Sequence, residues 1–537
     1  MGQRSRRSLD LLTGDRLAAI PQALVTGSHH DLLDPLRLVV TPADANGIRP
    51  PAQVPDRRAL AAELAECNQA YGHPRAAEMA RKLEDPETLV VVTGQQPGLF
   101  GGPLYALSKA LAAARWADWL SSQGRPAVAI FWVATEDHDY REVARSTFLT
   151  HDGLLDLELG DDRYPLLPVG MRNFGPEVTT ALEQLADAIP GDRFAGWVET
   201  LGRWYKPVAR FGEAFPRLLI HLLGERSPLM LDALLPALKR AQGPLMRRLV
   251  EVRQALDQAL AAADEAVTAA GFDLQVQPQP GVSPLFALHG VERRRIEWLD
   301  DERYRLRGEE GEGRPVSDLL QALEDNPSAI SPGVLARPAL QDAVLGTALS
   351  VLGPGEVSYM AQASAVHRFL GLDGPATTLR PQTLVLESRQ LQWMEELDIG
   401  LEELLGDQRE LDRRLAENAG VDFVTPVAEQ IGELLDGLKD PVTEVEANLA
   451  KPLQRTKDQA LGALEQLAGK VAAAAARANE VQRRRVETLR QTVLPHGTPQ
   501  ERVLSTAHFP GKYRDALVEA YWQQLELDGR RLQVIEL

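Results

Sequence analysis

Glu136, Asp137, His138 and Asp139 stand in the run FWVATEDHDYREV, directly after a stretch of apolar residues. Three carboxylates around one imidazole can raise its pKa, hold a divalent cation such as Mg2+, or orient a general base. The bland reading of the same residues is a solvated acidic loop with a helix-capping Asp. A second candidate lies upstream in LVVVTGQQPGLFGGP, residues 89–103. There Gly94, Gln95, Gln96, Gly98, Gly101, Gly102 and Pro103 separate an apolar run from an alanine- and leucine-rich helix. The glycines can adopt positive φ and admit a ligand close to the backbone. Pro103 suits the first position of a helix, whose free N–H groups would form a site for phosphate or carboxylate. No Gly-Lys-Ser/Thr follows and no G-x-G-x-x-G is present, so the loop is neither a P-loop nor a dinucleotide fingerprint. A tight strand–helix turn without a ligand is the alternative. The third candidate is SPGVLARPALQDAVL, followed by GPGEVSYMAQ. Arg337 there could grip a carboxylate or phosphate with both arms of its guanidinium. Gln341, Asp342 and Glu356 are its polar neighbours, and an interdomain salt bridge is an equal reading. Lys109 projects off the stripe Leu104, Leu107, Leu111 and Ala114, so a solvated lysine is expected. Cys67, beside Glu66 and Asn68, reads as an ordinary half-buried thiol.

Strands and helices alternate from residue 88 onward, which predicts an α/β fold with an open parallel sheet and inserted segments. Continuous apolar runs predict strands at TLVVVTG (88–94), at 126–134 and at 227–232, with a further main-sheet strand at 377–387. Helices are predicted over about 103–121, in segments through 177–224, and over 234–264. Residues 284–306 read as an inserted antiparallel ribbon. The segment after Arg337 reads as helix, broken by Gly353-Pro354-Gly355, with Glu356 opening the next helix. Open α/β sheets bind ligands outside the carboxyl ends of their strands. The glycine loop and the acidic block both lie at such ends, side by side if their strands are neighbours.

Beyond residue 390 the strand signal disappears. Leu449, Leu453, Leu464, Leu467, Val471, Ala474, Ala478 and Val481 recur at a three-four spacing with charges between them, a heptad-like stripe. Pro441 and Pro452 punctuate it, which predicts an antiparallel helical hairpin and, from its length, a homodimer. The expected divisions are a Rossmann-like core at 1–390, a helical coiled-coil domain at 391–495, and a segment at 496–537 that packs back on the body.

The 537 residues carry 58 Lys and Arg against 76 Asp and Glu, a net charge of −18. That excess argues against nucleic acid and against anionic membrane as partners. A single cysteine excludes intramolecular disulfides and cysteine-based zinc sites. Asp10, Asp15 and Arg16 interrupt any signal-peptide core, Arg6 breaks the myristoylation pattern, and no apolar run of about 20 residues is present. A cytoplasmic protein is expected.

The blocks DPETLVVVTGQQPGLFGGPLYALSKAL, AIFWVATEDHDYREV, SPGVLARPALQDAVL, GPGEVSYMAQ and PQERVL occur in this order along the chain. In them the sequence resembles the cysteine-adding enzymes of bacillithiol biosynthesis, the BshC family, over nearly its whole length. The resemblance implies a Rossmann-like core with connecting insertions and a C-terminal coiled coil that mediates dimerisation. It implies a ligase that joins cysteine to the amine of glucosaminyl-malate. Activation of the carboxylate by ATP, with Mg2+, is inferred from the needs of amide formation. Gly94, Gln95, Gln96, Gly102 and Lys109 match the family's loop–helix block, and Asp137, His138 and Asp139 match its acidic block. Gly333 stands where the family usually has Asn. The expected site is thus His138, Asp137 and Asp139 as catalytic residues, with Gly94, Gln95, Gln96, Gly98, Gly102, Lys109, Arg337 and Glu356 binding substrate or anion. His138 is expected as base or substrate anchor. Another small-molecule transferase on the same core, or a non-enzymatic coiled-coil dimer that binds a metabolite, are the alternatives.

Overall fold

A computed structural model describes residues 6–14, 16–189, 191–418, 423–478 and 480–537. The elements that matter for the site are, in chain order, β1 (Leu89–Gln95), α1 (Tyr105–Ser122), β2 (Ala127–Val133), β3 (Leu229–Asp232), α2 (Pro236–Glu251), α3 (Arg253–Ala269), β4 (Val282–His289), β5 (Glu292–Trp298), β6 (Arg303–Leu306), β7 (Ile330–Pro332), α4 (Arg337–Leu345), β8 (Thr347–Leu352), α5 (Pro354–Leu370) and β9 (Ala376–Leu379). Five strands form a wholly parallel sheet in the order β9-β8-β1-β2-β3. Every residue of β2 is buried, as the continuous apolar run required for a strand covered on both faces. β1 and β2 are neighbours, with Gly94 opposite Trp132 and Gln95 opposite Val133. The glycine loop and the acidic block therefore leave adjacent strand ends on one rim. Helix α1 is buried on most of its circumference, including Leu107, Leu111 and Trp116, and Leu104 just before it is buried as well.

Three expectations are corrected. The segment at 347–352 is not helix: TALSVL forms β8, a strand between β1 and β9. Gly346, at φ 63°, ends α4 in the left-handed region, which frees the next residues for the sheet. The stretch 377–387 is split. Ala376–Leu379 is the edge strand β9, whereas Gln382–Leu386 joins a separate sheet beside Arg531–Glu536. The single helix expected over 234–264 is two, α2 and α3, interrupted at Val252, whose φ and ψ are −111° and 23°. The inserted ribbon is larger than its sequence signal. It is a five-stranded antiparallel sheet in the order Arg314–Pro315, β6, β5, β4, β7.

The chain divides into two units. One comprises Asp10–Val385 and Gln500–Leu537, the other Leu386–Pro499 with residues up to Leu9. In the first, Gln500 and Glu501 of the block PQERVL are buried structural groups. Gln500 exchanges two hydrogen bonds with the backbone of Val385, at 2.8 and 2.9 Å. Glu501 takes both arms of Arg380 at 2.9 and 2.6 Å and the Thr383 N–H at 2.9 Å.

The second unit is helical. Its longest helix, Ala450–Ala478, packs along Gln408–Asn418 and Thr425–Gly437. The seam is rotated from the expected stripe. Ala468 and Ala472 are buried at 7% and 2% exposure, whereas Leu467 and Val481 are 47% and 64% exposed and Ala474 is exposed. Small alanines let backbones approach, so the alanine face takes the contact. The side chain of Ala478 lies outside the described residues. Among the described residues no helix is long and apolar enough to cross a membrane.

Candidate functional site

A cleft of about 820 Å3 opens at the carboxyl ends of β1 and β2. Gly94, Gln95, Gln96, Asp137, His138, Arg337 and Glu356 all line it. The inserted sheet closes one side with Phe286, Arg293 and Arg295, and α3 brings Asp257 and Asp264.

The acidic block divides by role. Glu136 is buried and pairs with Lys239 of α2, Nζ to Oε1 at 2.5 Å. Asp139 caps the short helix Tyr140–Val143, accepting from the Glu142 N–H at 3.3 Å. It does not line the cleft. Asp137 and His138 do. One Asp137 oxygen accepts from the Gln96 side-chain amide and the other from the His138 N–H at 2.7 Å. Gln96 Oε1 is buried and has no donor among the described residues.

His138 differs from its expectation. Arg293 Nη1 lies 3.1 Å from His138 Nδ1. A guanidinium cannot accept, so Nδ1 is the acceptor and Nε2 carries the proton of a neutral ring. Burial pushes the imidazole pKa down, and the Arg293 charge pushes it further. Asp137 acts the other way but does not win. The carboxylates are therefore outweighed, and the neutral ring is a hydrogen-bond donor with its basic nitrogen already engaged.

Burial shifts the cleft carboxyl of Asp264 toward neutrality, and two further ones move the same way. Burial pushes Asp257 up to about 6, and burial, Asp139 and then Asp137 raise Glu142. Neither was singled out from the sequence, because an Asp on an amphipathic helix looks like a solvated one until the opposite wall is known.

Lys109 is also corrected. Its side chain is 4% exposed, and Nζ meets Glu356 Oε2 at 2.5 Å, Gly94 O at 2.7 Å and Gln95 Oε1 at 3.2 Å. All three ammonium donors have acceptors. Glu356 in turn accepts from the Gly353 N–H at 2.7 Å and closes a capping box on α5. Among the described residues Arg337 makes no salt bridge. Its two arms donate to Gln341 Oε1 at 2.7 Å and Tyr359 Oη at 2.8 Å. Gln341 donates to Asp342 at 3.1 Å, and Asp342 meets His367 Nε2 at 2.8 Å, so Arg337 is the outer end of a buried polar chain.

The glycine loop is a packed turn. Of its glycines, Gly101 and Gly102 have positive φ, at 87° and 64°, and Phe100 before them has φ 50°. Gly94 is required for another reason: a Cβ there would meet Trp132 O at 2.7 Å. A Cβ on Gly98 would lie 2.6 Å from Gly102 Cα. The N–H groups of Gly98, Gly101, Gly102 and Leu104 donate to Gln96 O, Gly98 O, Leu99 O and Leu504 O. These donors are spent, and neither Gly98 nor Gly102 lines the cleft, so the loop does not fit a phosphate cradle. Among the described residues no group of three or more His, Cys, Asp or Glu side chains is placed to hold a metal ion. Asp137 is engaged by Gln96 and His138, and Asp139 by its cap. A Mg2+ ion here would depend on oxygens brought by a ligand.

An α/β protein with a parallel sheet and a polar cleft at its strand ends belongs to the broad class of Rossmann-like small-molecule proteins. Residues 47–381 match the family described as "Bacillithiol biosynthesis BshC, N-terminal Rossmann-like domain", and residues 383–537 match "Bacillithiol biosynthesis BshC, C-terminal coiled-coil domain". The chain belongs to the BshC family. It is similar to a protein of Salinibacter ruber named "Putative cysteine ligase BshC", 32% identical over 498 residues, 89% of each chain. A protein of the same name from Solibacter usitatus is 29% identical over 88% of each chain. Another, from Chlorobaculum tepidum, is 26% identical over 86% of this chain and 85% of its own.

Proposed function

We propose that this chain is a cytoplasmic cysteine ligase of bacillithiol biosynthesis, which joins the carboxylate of cysteine to the amine of glucosaminyl-malate. Family membership supports the ligase class. The observation that carries the site is that one cleft gathers residues of three separate sequence blocks with a set of arginines that have no carboxylate within ion-pair distance among the described residues. A free carboxylate does not acylate an amine in neutral water, so ATP is required as co-substrate to activate it. The glycine loop is not where that nucleotide's phosphates bind.

The residues have distinct parts in this reading. His138 anchors substrate through its Nε2–H while Arg293 fixes the ring. Asp137 and the unpaired Gln96 Oε1 suit an incoming amine, which donates hydrogen bonds. The proton lost from that amine on amide formation goes to a cleft carboxyl: Asp257, pushed up to about 6, suits a general base near neutrality, and Glu142, also raised, is the second candidate. Lys109 and Glu356 hold the cleft rim in place, and Arg337 binds an anionic group.

The test is mass spectrometry of the full chain incubated with cysteine, glucosaminyl-malate, ATP and Mg2+. A condensation product that disappears when ATP is omitted is expected. No condensation product in any arm overturns the ligase reading.

The helical unit is proposed to form a homodimer. Leu434, Val445 and Val481 are 71%, 80% and 64% exposed on it, more apolar surface than a solvated helix needs. Light scattering after size exclusion should give twice the 58.9 kDa chain mass. A monomer at micromolar concentration refutes it.

A further inference from the structure

The inserted sheet places two arginines on one aromatic ring. Arg293 and Arg295 alternate along β5, so their side chains share one face of the sheet. Arg295 is the cross-strand partner of Phe286 on β4. The Arg293 guanidinium lies 3.8 Å from the Phe286 ring centre and that of Arg295 lies 5.0 Å from it. Phe286 thus gathers two like charges that repel one another.

Neither has a carboxylate within ion-pair distance among the described residues. Arg293 spends its donors on neutral acceptors: Ser331 Oγ at 2.9 Å, Pro332 O at 2.7 Å and His138 Nδ1. The Arg295 side chain makes no hydrogen bond to any described residue and lines the cleft half-buried. The buried lysines nearby are treated differently, since Lys109 and Lys239 each hold a glutamate at 2.5 Å. Burial lowers the pKa of both guanidinium groups, which marks the cost of keeping them charged without an anion.

The wall beside them is closely packed. Gly333 presents no side chain: a Cβ there would meet Pro284 O at 2.8 Å and the Phe286 ring at 3.0 Å. An Asn in its place would press on the ring that carries both arginines. The third cation, Arg337, lines the same cleft and also has only neutral partners.

We propose that Arg295, backed by Arg293 and the Phe286 ring, is the subsite that receives the dicarboxylate end of the acceptor. It takes one carboxylate through the free guanidinium fork of Arg295, and a ligand with two negative charges suits the paired cations. The assignment rests on the ligase reading for the identity of the acceptor, not for the site itself. Polyphosphate shares the oxyanion chemistry, so the two sources must be separated by experiment.

The full chain is titrated calorimetrically with L-malate and, separately, with ATP, as the parent and as Arg295→Gln and Arg295→Lys. The melting temperature of each variant is recorded first. Arg295→Gln should weaken L-malate about tenfold or more, the loss of one charged hydrogen-bonding group, while ATP binding changes less than twofold. Arg295→Lys, which keeps the charge but not the fork, should recover part of the affinity. Unchanged L-malate binding in a folded Arg295→Gln protein overturns the subsite, as does loss of ATP binding alone. Should the parent fail to ligate cysteine yet bind L-malate through Arg295, the ligase reading falls and the subsite stands.

Discussion

Replacing Lys109 with Met should destabilise the unit that carries the cleft by about 3 kcal/mol, near the lower end for breaking a buried ion pair. The value follows from the contacts. The ammonium has three acceptors, Glu356 Oε2, Gly94 O and Gln95 Oε1, and its side chain is 4% exposed. Methionine keeps the length of the chain and removes the charge. Glu356 then remains inside without its cation. It is 21% exposed and keeps the Gly353 N–H, so the penalty falls short of that for a fully enclosed carboxylate. Urea unfolding followed by tryptophan fluorescence reads the right unit, because Trp393 is the only one of the 8 tryptophans outside it. With a slope of about 1–3 kcal/mol per molar urea, the midpoint should fall by about 1 M or more. The double variant Lys109→Met with Glu356→Leu should regain most of the loss, since removing both charges leaves none stranded. A loss below about 1 kcal/mol for Lys109→Met would restore the solvated lysine, whose exposed pairs are worth no more than that.

Gly98→Ala should lower the melting temperature and leave ligand affinity of the folded fraction unchanged, because its Cβ meets the Gly102 backbone at 2.6 Å; weaker binding with an unaltered melting temperature would return the loop to ligand contact. Cys67→Ser should retain parent turnover, since burial pushes the thiol up to about 12 and no thiolate forms at neutral pH; abolished turnover in a folded variant would demand a covalent cysteine. His138 should titrate below 6.5 by NMR, lower still in Asp137→Asn, which removes the charge that raises it. A folded pKa below the unfolded one means that stability is intact above pH 6.5 and falls as the pH drops through the folded value, and an imidazole titrating above 6.5 refutes the neutral ring.

The parallel sheet was legible because β1 and β2 are buried on both faces and their apolar runs are unbroken. β8 was not, since TALSVL is equally a short piece of buried helix, and only Gly346 and Gly353 on its flanks distinguish it. Asp137, His138, Arg337 and Glu356 were readable as polar residues at strand and helix ends. Their tautomers and pairings were not, because the decisive partners are distant in sequence. Arg293 meets His138 from the inserted sheet, and Lys109 meets Glu356 across the rim. Burial sets the sign of the His138 shift, and sequence adjacency to three carboxylates suggests the opposite sign.

Glu501 has a consequence for synthesis on the ribosome. Arg380 and the Val385 backbone are translated well before their partners Glu501 and Gln500, and all of Leu386–Pro499 must emerge in between. Throughout that interval the nascent core carries a guanidinium without its counter-charge and an unmatched backbone segment. A chain that stalls or is cut after the helical unit leaves the core in this open condition, with the apolar surface that Leu504, Leu517 and Tyr521 would cover left exposed. Quality control thus has a physical signature by which to separate finished molecules from interrupted ones.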